Sequence, residues 1–295
     1  MPAEARKHLV FIINPRSGTD RVKAIQSAID AGIDAALYTH ETQYTQRAQH
    51  GTELARLAAS RGAYAVIAVG GDGSVADVAV GLAGSDTALG IVPKGSGNGM
   101  ARTIGLPLHL DEAISIVNVG KMQKIDVGHV NDRMFVSNAG VGFDALISKQ
   151  FAKSKRRGLL AYSWLVAKYL WLYKEWDWRI TIDGQQINER AFLVNVANGQ
   201  QFGYNFRIAP DASFTDGVLD VTIIRRFPKI LGAGLALRAM WGNINDSRYV
   251  QHYRGKEISI VHPDLRLMQT DGDAHPCGNR LDFRIAPASL QVIVP

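Results

Sequence analysis

The first 125 residues alternate short apolar runs with segments in which apolar residues recur at helical spacing. The apolar runs predict buried strands at Leu9–Ile13, Ala35–Tyr38, Tyr64–Val69 and Ala88–Val92. The segments between them predict helices at Val22–Ala31, Gln46–Arg61 and Val75–Leu82. Strands that alternate with helices are typical of a parallel sheet covered by helices on both faces. Ligands of such sheets bind at the carboxyl ends of the strands.

From about Ile125 the pattern changes to short alternating runs separated by Gly, Asn and Asp turns. These runs predict antiparallel strands at Ile125–Val130, Arg133–Asn138, Trp178–Ile182, Phe192–Ala197, Leu219–Ile224, Glu257–Val261, Leu265–Gln269 and Leu281–Ile285. Two helical patterns interrupt them, at Phe151–Trp178 and Ile230–Trp241. We therefore expect an α/β domain over residues 1–124 and a mainly antiparallel β domain over 125–295. The last strand is a candidate to return to the first domain.

The composition is that of a globular chain of 295 residues, 46% hydrophobic and 20% charged, which is enough for two cores. A single cysteine excludes a disulfide framework. Residues 1–15 have a short apolar run and no small-residue cleavage site, so they predict a first strand and no signal peptide. No apolar stretch reaches the roughly 18 residues that span a bilayer, and these features favour a cytoplasmic protein. The net charge of +6 favours an anionic partner, which could be nucleotide, lipid headgroup or nucleic acid.

Three glycine-rich turns follow predicted strands. The run AVIAVGGDGSVA at 65–76 ends a strand in three glycines, which let a polyphosphate approach the backbone N–H groups. Asp72 in this turn can hold a magnesium ion or orient a nucleophile. Taken alone, the run is equally compatible with a plain strand-to-helix turn. NPRSG at 14–18 and PKGSGNG at 93–99 occupy equivalent positions, and none of the three is a Walker A sequence. Together they predict a phosphate site.

Two later motifs extend this set, APDASFTDGVLDV at 209–221 and DGD at 271–273. With all five in this order, the chain resembles the diacylglycerol kinase catalytic family, which includes sphingosine and ceramide kinases and bacterial lipid kinases. The resemblance spans essentially the whole chain. It implies an α/β domain like those of NAD kinase and phosphofructokinase, followed by a β-sandwich. It also implies transfer of the γ-phosphate of ATP, with Mg²⁺, to the primary hydroxyl of a membrane lipid.

The resemblance also implies roles for individual residues. The ATP site would comprise Asn14, Pro15, Arg16, Ser17, Gly18, Thr45, Gly70, Gly71, Asp72, Gly73, Ser74, Ser96 and Asn98. Thr39 and Thr42 are alternatives to Thr45. Asp72 would bear on the catalytic magnesium, and Asp273 occupies the place of the general base. The structural magnesium site would comprise Asp216 and the backbone carbonyls of Ser213 and Val218, and the substrate contacts would be Asp144 and Asn138.

Three departures from the family pattern bear on function. Ala76 and Asp77 stand where much of the family has Asn-Glu, so one amide contact is lost and one carboxylate is shortened. Gly99 follows Asn98, as in the sphingosine and ceramide kinase branch, and this favours a sphingoid base or ceramide slightly over diacylglycerol. Asp273 replaces the usual glutamate and shortens the reach of the carboxylate by about 1.5 Å.

The segment 151–176 combines basic and aromatic residues. Lys149, Lys153, Lys155, Arg156 and Arg157 lie at its beginning, and Tyr162, Trp164, Tyr169, Trp171, Tyr173 and Trp176 follow. One interpretation is a peripheral contact with the inner face of an anionic membrane. The other is a core helix after a solvated basic loop, and the two can coexist on opposite faces. We interpret a second basic cluster, Arg225, Arg226 and Lys229, as a solvated loop.

Two alternatives to a lipid kinase stay open at this point. GGDG also occurs in soluble kinases that act on NAD or sugar phosphates. The three departures are also compatible with a catalytically weak regulator that binds lipid or nucleotide. A nucleic-acid partner is not expected, because the basic residues lie on no recognisable recognition element. Homodimerisation is left open.

Overall fold

The computed structural model describes residues 6–18, 21–154 and 158–295. The chain divides into two compact units, one running to Ile125 and including Ala288–Pro295, the other Asp126–Pro287. The elements of the first unit are β1 (Lys7–Ile13), α1 (Val22–Gly32), β2 (Tyr38–Tyr44), α2 (His50–Ser60), β3 (Ala65–Gly70), α3 (Asp72–Leu82), β4 (Ala88–Pro93), α4 (Gly99–Thr103) and α5 (Leu110–Val119).

The second unit is mainly antiparallel β-structure, and strands β5 and β15 each run across the boundary between the units. Its elements are β5 (Lys121–Val130), β6 (Arg133–Phe135), β7 (Asn138–Gly142), α6 (Phe143–Lys153), α7 (Leu159–Leu170), β8 (Trp176–Ile182), β9 (Gln185–Ala197), β10 (Leu219–Arg225), α8 (Gly232–Trp241), β11 (Val250–Gly255), β12 (Glu257–Val261), β13 (Leu267–Thr270), β14 (Asp273–Pro276) and β15 (Arg280–Val294). Two 3₁₀ turns lie at Lys229–Leu231 and Ile244–Asp246.

The first unit is built on parallel strands in the order β2-β1-β3-β4. Every residue of β3 and β4 is buried, as expected for central strands covered on both faces. Helix α1 packs Ile25 and Ile29, one turn apart, onto one face together with α5. Helices α2 and α3 pack against each other and contact β3. This arrangement brings the ends of β1, β3 and β4 to one edge of the sheet.

Two predicted boundaries in the first unit are wrong. The second strand is Tyr38–Tyr44 rather than Ala35–Tyr38, so the polar stretch after Tyr38 is a strand and not a loop. This strand has a neighbour on one side only in the parallel sheet, and such an edge strand tolerates polar residues. Helix α3 begins at Asp72 rather than Val75, because the amides of Ser74 and Val75 already bond to the Gly71 carbonyl.

In the second unit the strands pair antiparallel in the order β14-β13-β7-β9-β8-β12-β15, with β10 and β11 added beside β9. Two apolar clusters form its core. One cluster lies among the strands and contains the fully buried Trp178 and Phe135. The other joins α6, α7 and α8 to the strands through residues such as Leu165, Phe192 and Leu235.

The single helix predicted for residues 151–178 is wrong. The structure has α6 ending at Lys153, α7 at Leu159–Leu170, and strand β8 from Trp176. Tyr162 and Tyr169 pack against the helical core cluster, whereas the exposed fractions of Trp164 and Trp171 are 62% and 66%. Lys155, Arg156 and Arg157 lie outside the described residues. Among the helices that the structure describes, none is both long and apolar enough to cross a bilayer.

Candidate active site

Asn14 fixes the first glycine-rich turn at the end of β1. Its backbone N–H donates to the Val69 carbonyl at 3.1 Å, and its Oδ1 accepts from the Arg16 N–H at 3.0 Å. Its Nδ2 donates to Ser74 Oγ at 3.1 Å. Residues 14–18 are therefore held against the first turn of α3. Pro15, Arg16 and Gly18 in this turn are exposed.

Thr45 is the threonine that reaches this edge of the sheet. It follows β2 directly, and its N–H donates to the carbonyl of Ile13, the last residue of β1, at 3.0 Å. Thr39 and Thr42 lie within β2 instead, and the Thr39 hydroxyl contacts His8 Nδ1 at 3.0 Å. The position after the strand therefore distinguishes Thr45 from the other two candidates.

The second turn, residues 70–74, is the start of α3 itself. Gly71 is its N-cap in extended conformation, and Asp72, Gly73 and Ser74 form the first helical turn. The first N–H groups of a helix have no partner within the helix and carry partial positive charge. This end of α3 is therefore suited to an anion such as a phosphate.

The third turn approaches the second more closely than side chains would allow. The Lys94 N–H donates to the Gly70 carbonyl at 2.7 Å, and a Cβ on Gly95 would overlap the Cα of Gly71. A Cβ on Gly18, in the first turn, would lie 2.5 Å from the Lys94 carbonyl oxygen. The three turns therefore form one structure of interlocking backbone, which we name the phosphate cradle: residues 14–18, 70–74 and 93–99. Ser96, in the third turn, is exposed.

Asp72 links the second turn to the third. Its Oδ1 accepts from the Gly99 N–H, at the start of α4, at 2.6 Å. Burial raises the pKa of this carboxyl above its usual range, although the backbone N–H groups of Gly99, Asn98 and Met100 favour its charged form. Asp72 thus holds the cradle together in addition to any role with a ligand.

A divalent cation brought by nucleotide phosphates fits the cradle. Mg²⁺ in phosphate sites is held by one or two carboxylates and by the phosphates themselves. Asp72 supplies one carboxylate, and the buried Oδ1 of Asn98 has no hydrogen-bond partner in the described part of the chain. The described residues contain no cluster of three or more His, Cys, Asp or Glu that could hold a metal by themselves.

In the second unit the DGD motif is a β-hairpin turn between β13 and β14. Asp271 and Gly272 both have positive φ, 49° and 88°, which is the conformation of a two-residue type I′ turn. Thr270 pairs with Asp273 across the hairpin. Asp273, the predicted base, is therefore the first residue of β14, and its side chain is exposed.

Asp271 anchors this hairpin and was not predicted as a site residue. Its carboxylate accepts three backbone N–H bonds, from Val136 at 2.8 Å, Ser137 at 2.7 Å and Asn138 at 3.2 Å. The Gly272 N–H in turn donates to Gln269 Oε1 at 2.9 Å. The two carboxylates of the Asp-Gly-Asp motif therefore have different environments. The carboxylate of Asp271 holds the hairpin in place, and that of Asp273 is open to solvent or substrate.

The sequence matches two known protein families. Residues 8–130 match the family described as diacylglycerol kinase catalytic domain, and residues 137–294 match the family described as YegS C-terminal NAD kinase beta sandwich-like domain. A diacylglycerol kinase of Mycobacterium tuberculosis (strain H37Rv) is 30% identical, with 99% of this chain and 98% of that protein aligned. The chain belongs to the lipid kinase family of diacylglycerol kinases and YegS-like kinases.

A second relative supports the assignment of the chain to this family, and a solved structure supports the fold. A probable YegS-like lipid kinase of Chromohalobacter salexigens is 36% identical over 83% of this chain and 80% of that protein. A crystal structure of a diacylglycerol kinase from Bacillus anthracis str. Sterne superposes with a TM-score of 0.75 over 98% of this chain and 97% of that one, at 22% identity. The predicted fold class is confirmed, as is the prediction of a lipid kinase. Kinases of this family use ATP and generally a divalent metal.

Asp144 and Asn138, the predicted substrate contacts, lie in one buried polar cluster of this kinase. Asn138 Oδ1 accepts from Gln269 Nε2 at 2.8 Å, and Asn195 Nδ2 lies 3.4 Å from the same oxygen. Asp144 Oδ2 lies 3.4 Å from Gln269 Nε2. Burial raises the pKa of Asp144 to about 7, against the hydrogen bonds that favour its charged form. The sequence had shown neither Gln269 nor Asn195, because their link to Asn138 is made only by strand pairing.

The raised pKa of Asp144 predicts a dependence of stability on pH. Between the unfolded pKa of 3.8 and the folded value of about 7, the folded state keeps a proton that the unfolded state has lost. The free energy of unfolding should therefore fall as pH rises through this window, by at most about 1.4 kcal/mol per pH unit. In Asp144→Asn this loss should disappear, which denaturant unfolding at pH 5, 6, 7 and 8 can measure. The exposed Asp132→Asn serves as control; curves of Asp144→Asn that stay parallel to those of the parent would contradict the assignment.

An apolar cavity of about 150 Å³ adjoins this polar cluster. Most of its lining is aromatic or aliphatic, and two charged residues complete it; the side chains are those of Leu146, Tyr173, Trp176, Trp178, Asp264, Leu265, Arg266 and Leu267. Gly142, at its wall, is the last residue of β7, the strand that begins at Asn138, and precedes Asp144 by two residues. The second unit therefore places an aromatic apolar cavity beside buried polar groups.

Asp216, the side-chain ligand of the structural magnesium site predicted with Ser213 and Val218, is paired with a cation. Asp216 Oδ2 forms an ion pair with the guanidinium of Arg254, and its Oδ1 accepts from the Val218 N–H at 3.3 Å. Arg254 Nε also lies 3.6 Å from Oδ1 of the fully buried Asp220. The guanidinium of Arg254 therefore already neutralises Asp216, the carboxylate that the predicted structural magnesium would bind.

Metal removal tests this reading of Arg254. The melting temperature of the parent should be the same in EDTA and in MgCl₂, because Arg254 already neutralises Asp216. Arg254→Ala leaves the buried Asp220 and the partly exposed Asp216 without that cation, and we expect a loss of about 2 kcal/mol of unfolding free energy, part of it restored by MgCl₂. Arg280→Ala, which breaks an exposed pair with Asp282, should change little. Destabilisation of the parent by EDTA would instead support a bound metal.

Proposed function

We propose that this kinase transfers the γ-phosphate of ATP, with Mg²⁺, to the primary hydroxyl of a membrane lipid, and that diacylglycerol is the acceptor. The observation that carries the proposal is the phosphate cradle, in which three turns interlock through glycine backbone at one edge of a parallel sheet. Such an array of backbone donors and a helix N-terminus is what binding and positioning of a polyphosphate require.

Each part of the cradle has a role in this proposal. The N–H groups at the start of α3 and in the turn 93–99 bind phosphate oxygens, and Asn14 and Thr45 complete the nucleotide site. Asp72 and Asn98 would hold the cation, which neutralises the charge of the transferring phosphate when bound. Asp273 accepts the proton of the lipid hydroxyl as its oxygen bonds to the γ-phosphorus and ADP leaves.

Two observations favour diacylglycerol over a sphingoid base. Relatives that align over nearly the whole chain are named diacylglycerol kinase. Asp144, the carboxyl at the predicted substrate position, is buried, and burial raises its pKa to about 7. In its protonated form this carboxyl can donate a hydrogen bond, which suits the neutral ester and hydroxyl oxygens of diacylglycerol. The aromatic cavity beside it suits part of an acyl chain.

The bilayer location of diacylglycerol, the proposed acceptor, implies that the kinase acts at a membrane surface. Diacylglycerol resides in a bilayer, so we propose that the kinase associates peripherally with the inner face of the membrane. The net charge of +6 favours association with its anionic lipids.

The test is transfer of labelled γ-phosphate from ATP and MgCl₂ to mixed micelles of diacylglycerol, monoacylglycerol, sphingosine or ceramide. NAD and fructose 6-phosphate serve as soluble controls. We expect label on diacylglycerol. Label on sphingosine or ceramide alone would overturn diacylglycerol as the acceptor but would still support transfer of phosphate to a lipid. Label on a soluble control alone, or silence with intact ATP binding, would overturn the proposed reaction.

A further inference from the structure

An open cavity of about 320 Å³ in the second unit is lined by cations. Its lining residues are Glu189, Arg190, Arg225, Arg226, Arg248 and Tyr249, which we name the arginine pocket. Glu189 Oε1 accepts from Arg225 Nε at 3.0 Å. Among the described residues, no carboxylate lies within ion-pair distance of Arg190, Arg226 or Arg248. Four guanidiniums against one carboxylate leave an excess of three positive charges.

Backbone and ring contacts hold these like charges together. The Arg225 N–H donates to the Tyr249 carbonyl at 2.8 Å, and the Arg226 N–H donates to the Arg190 carbonyl at 3.3 Å. The Arg248 guanidinium lies 4.8 Å from the Tyr249 ring centroid and donates to its hydroxyl at 2.6 Å. The fold thus fixes a concentration of guanidiniums, whose geometry suits a phosphate oxygen pair.

Exposed apolar residues begin immediately beyond this pocket. Arg226 is only four residues from Ile230, at most about 14 Å of extended chain. The exposed fraction of Ile230 is 79%, and that of Trp241, at the end of α8, is 72%. Leu237 lies four residues before Trp241 and therefore on the same side of α8. Leu235 and Ala239 are buried against the core on the opposite side, so α8 is apolar on two opposite sides.

Helix α7 extends this apolar surface. A Cβ on Gly232, at the start of α8, would lie 2.8 Å from Leu170 Cδ2, so the end of α7 and the start of α8 are in contact. Trp171 and Leu172 follow Leu170 directly, and both are about two-thirds exposed. We name the exposed set the apolar ridge: Trp164, Trp171, Leu172, Ile230, Leu231, Leu237, Met240 and Trp241.

The segments that carry the ridge contain basic residues and no acidic ones. Residues 221–245 include four Lys or Arg and no Asp or Glu, and residues 145–174 include seven Lys or Arg and no Asp or Glu. Glu175, just outside these segments, pairs with Lys229 at 2.7 Å, and the remaining cations stay in excess. Apolar and aromatic residues bordered mainly by cations are typical of surfaces that lie on anionic bilayers. A symmetric dimer through this surface would bring the same cationic patches of two copies together, which is unfavourable.

We propose that the apolar ridge docks this protein on an anionic phospholipid bilayer and that the arginine pocket holds the phosphate of a lipid headgroup there. The docking surface lies wholly in the second unit and uses none of the residues assigned to phosphate transfer. It therefore goes beyond the proposed function: the protein would bind such bilayers without nucleotide and without an acceptor lipid.

The first experiment is cosedimentation of the full chain with vesicles, in the absence of nucleotide. Equimolar phosphatidylglycerol and phosphatidylcholine vesicles are compared with pure phosphatidylcholine, and inorganic phosphate is titrated separately. Arg226→Ala/Arg248→Ala should weaken binding to the anionic vesicles by about 25-fold, about fivefold for each arginine. The matched control Arg56→Ala/Arg61→Ala removes two exposed arginines of the first unit and should weaken it far less.

The second experiment removes the ridge. Ile230→Gln/Trp241→Gln should weaken binding to the anionic vesicles tenfold or more, while Leu37→Gln/Leu57→Gln, at exposed apolar positions of the first unit, should not. Thermal melts confirm that all variants are folded. Equal binding by parent and pocket variant would overturn the proposal, as would tight binding of inorganic phosphate without vesicle binding. A dimer in sedimentation velocity that the ridge variant dissociates would assign the ridge to self-association instead.

Discussion

Replacement of Asp273 by Asn should lower the rate of phosphate transfer by 10²–10⁴-fold, the usual contribution of a general base. The amide cannot accept the proton of the lipid hydroxyl, whereas it has nearly the same shape as the carboxylate. ATP binding should be unchanged, because the phosphate cradle lies in the first unit and Asp273 in the second. Transfer of labelled phosphate to lipid and titration of ATP by calorimetry measure the two effects separately.

Three further variants serve as controls for the Asp273→Asn substitution. Asp273→Glu keeps a carboxylate, and we expect it to retain most of the transfer rate. Asp132→Asn removes an exposed carboxylate elsewhere in the second unit and should leave the rate unchanged. Asp271→Asn should also lower the rate, but with a loss of stability, because Asp271 accepts three backbone N–H bonds that fix the hairpin. An Asp273→Asn variant as active as the parent would exclude Asp273 as the base.

Replacement of Gly95 by Ala should weaken ATP binding by at least tenfold and lower the unfolding free energy by about 1–3 kcal/mol. The added Cβ would overlap the Cα of Gly71 and lie 2.9 Å from Asn98 Oδ1. Because the neighbouring atoms include backbone, the second and third turns must move apart, and the N–H groups would no longer converge on one phosphate. Calorimetric titration of ATP and denaturant unfolding measure the two losses.

Gly278→Ala is the matched control for this substitution. A Cβ at Gly278 would meet no atom within 4 Å, and its backbone is outside the left-handed region. Its effect on stability should stay within about 0.5 kcal/mol, with ATP binding unchanged. Parent-like ATP affinity in Gly95→Ala would mean that the cradle is not the nucleotide site.

The first unit shows which features a sequence predicts well. The strands β1, β3 and β4 were expected within two residues of their observed ends, since buried parallel strands are unbroken apolar runs. Strand β2 was misplaced because THETQYT is polar, and only its position beside β1 makes it a strand. Helix α5 was not predicted from the sequence, although its Ile114 packs against α1 in the core.

In the candidate site, too, short local motifs were predicted from the sequence, whereas contacts between remote segments were not. The glycine motifs, Asp273 and the family itself were evident from the sequence, since each motif is short and local. Asp271 belonged to the same motif, yet its carboxylate proved to be an anchor because β6 and β7 bring three N–H groups to it. Asp216 matched a metal ligand, but Arg254, 38 residues away, takes up its charge.

By itself, the sequence determined that the chain is a lipid kinase with a glycine-rich nucleotide domain and a β-rich second domain, because backbone freedom and strand periodicity are local properties. The tertiary structure decided which polar groups are buried together and which apolar groups are left exposed. Arg226 was interpreted from the sequence as part of a solvated loop, whereas the strands place it with Arg190 and Arg248 around one cavity. The physical reason is that electrostatic and hydrophobic effects depend on distances and burial, which arise only when remote segments pack.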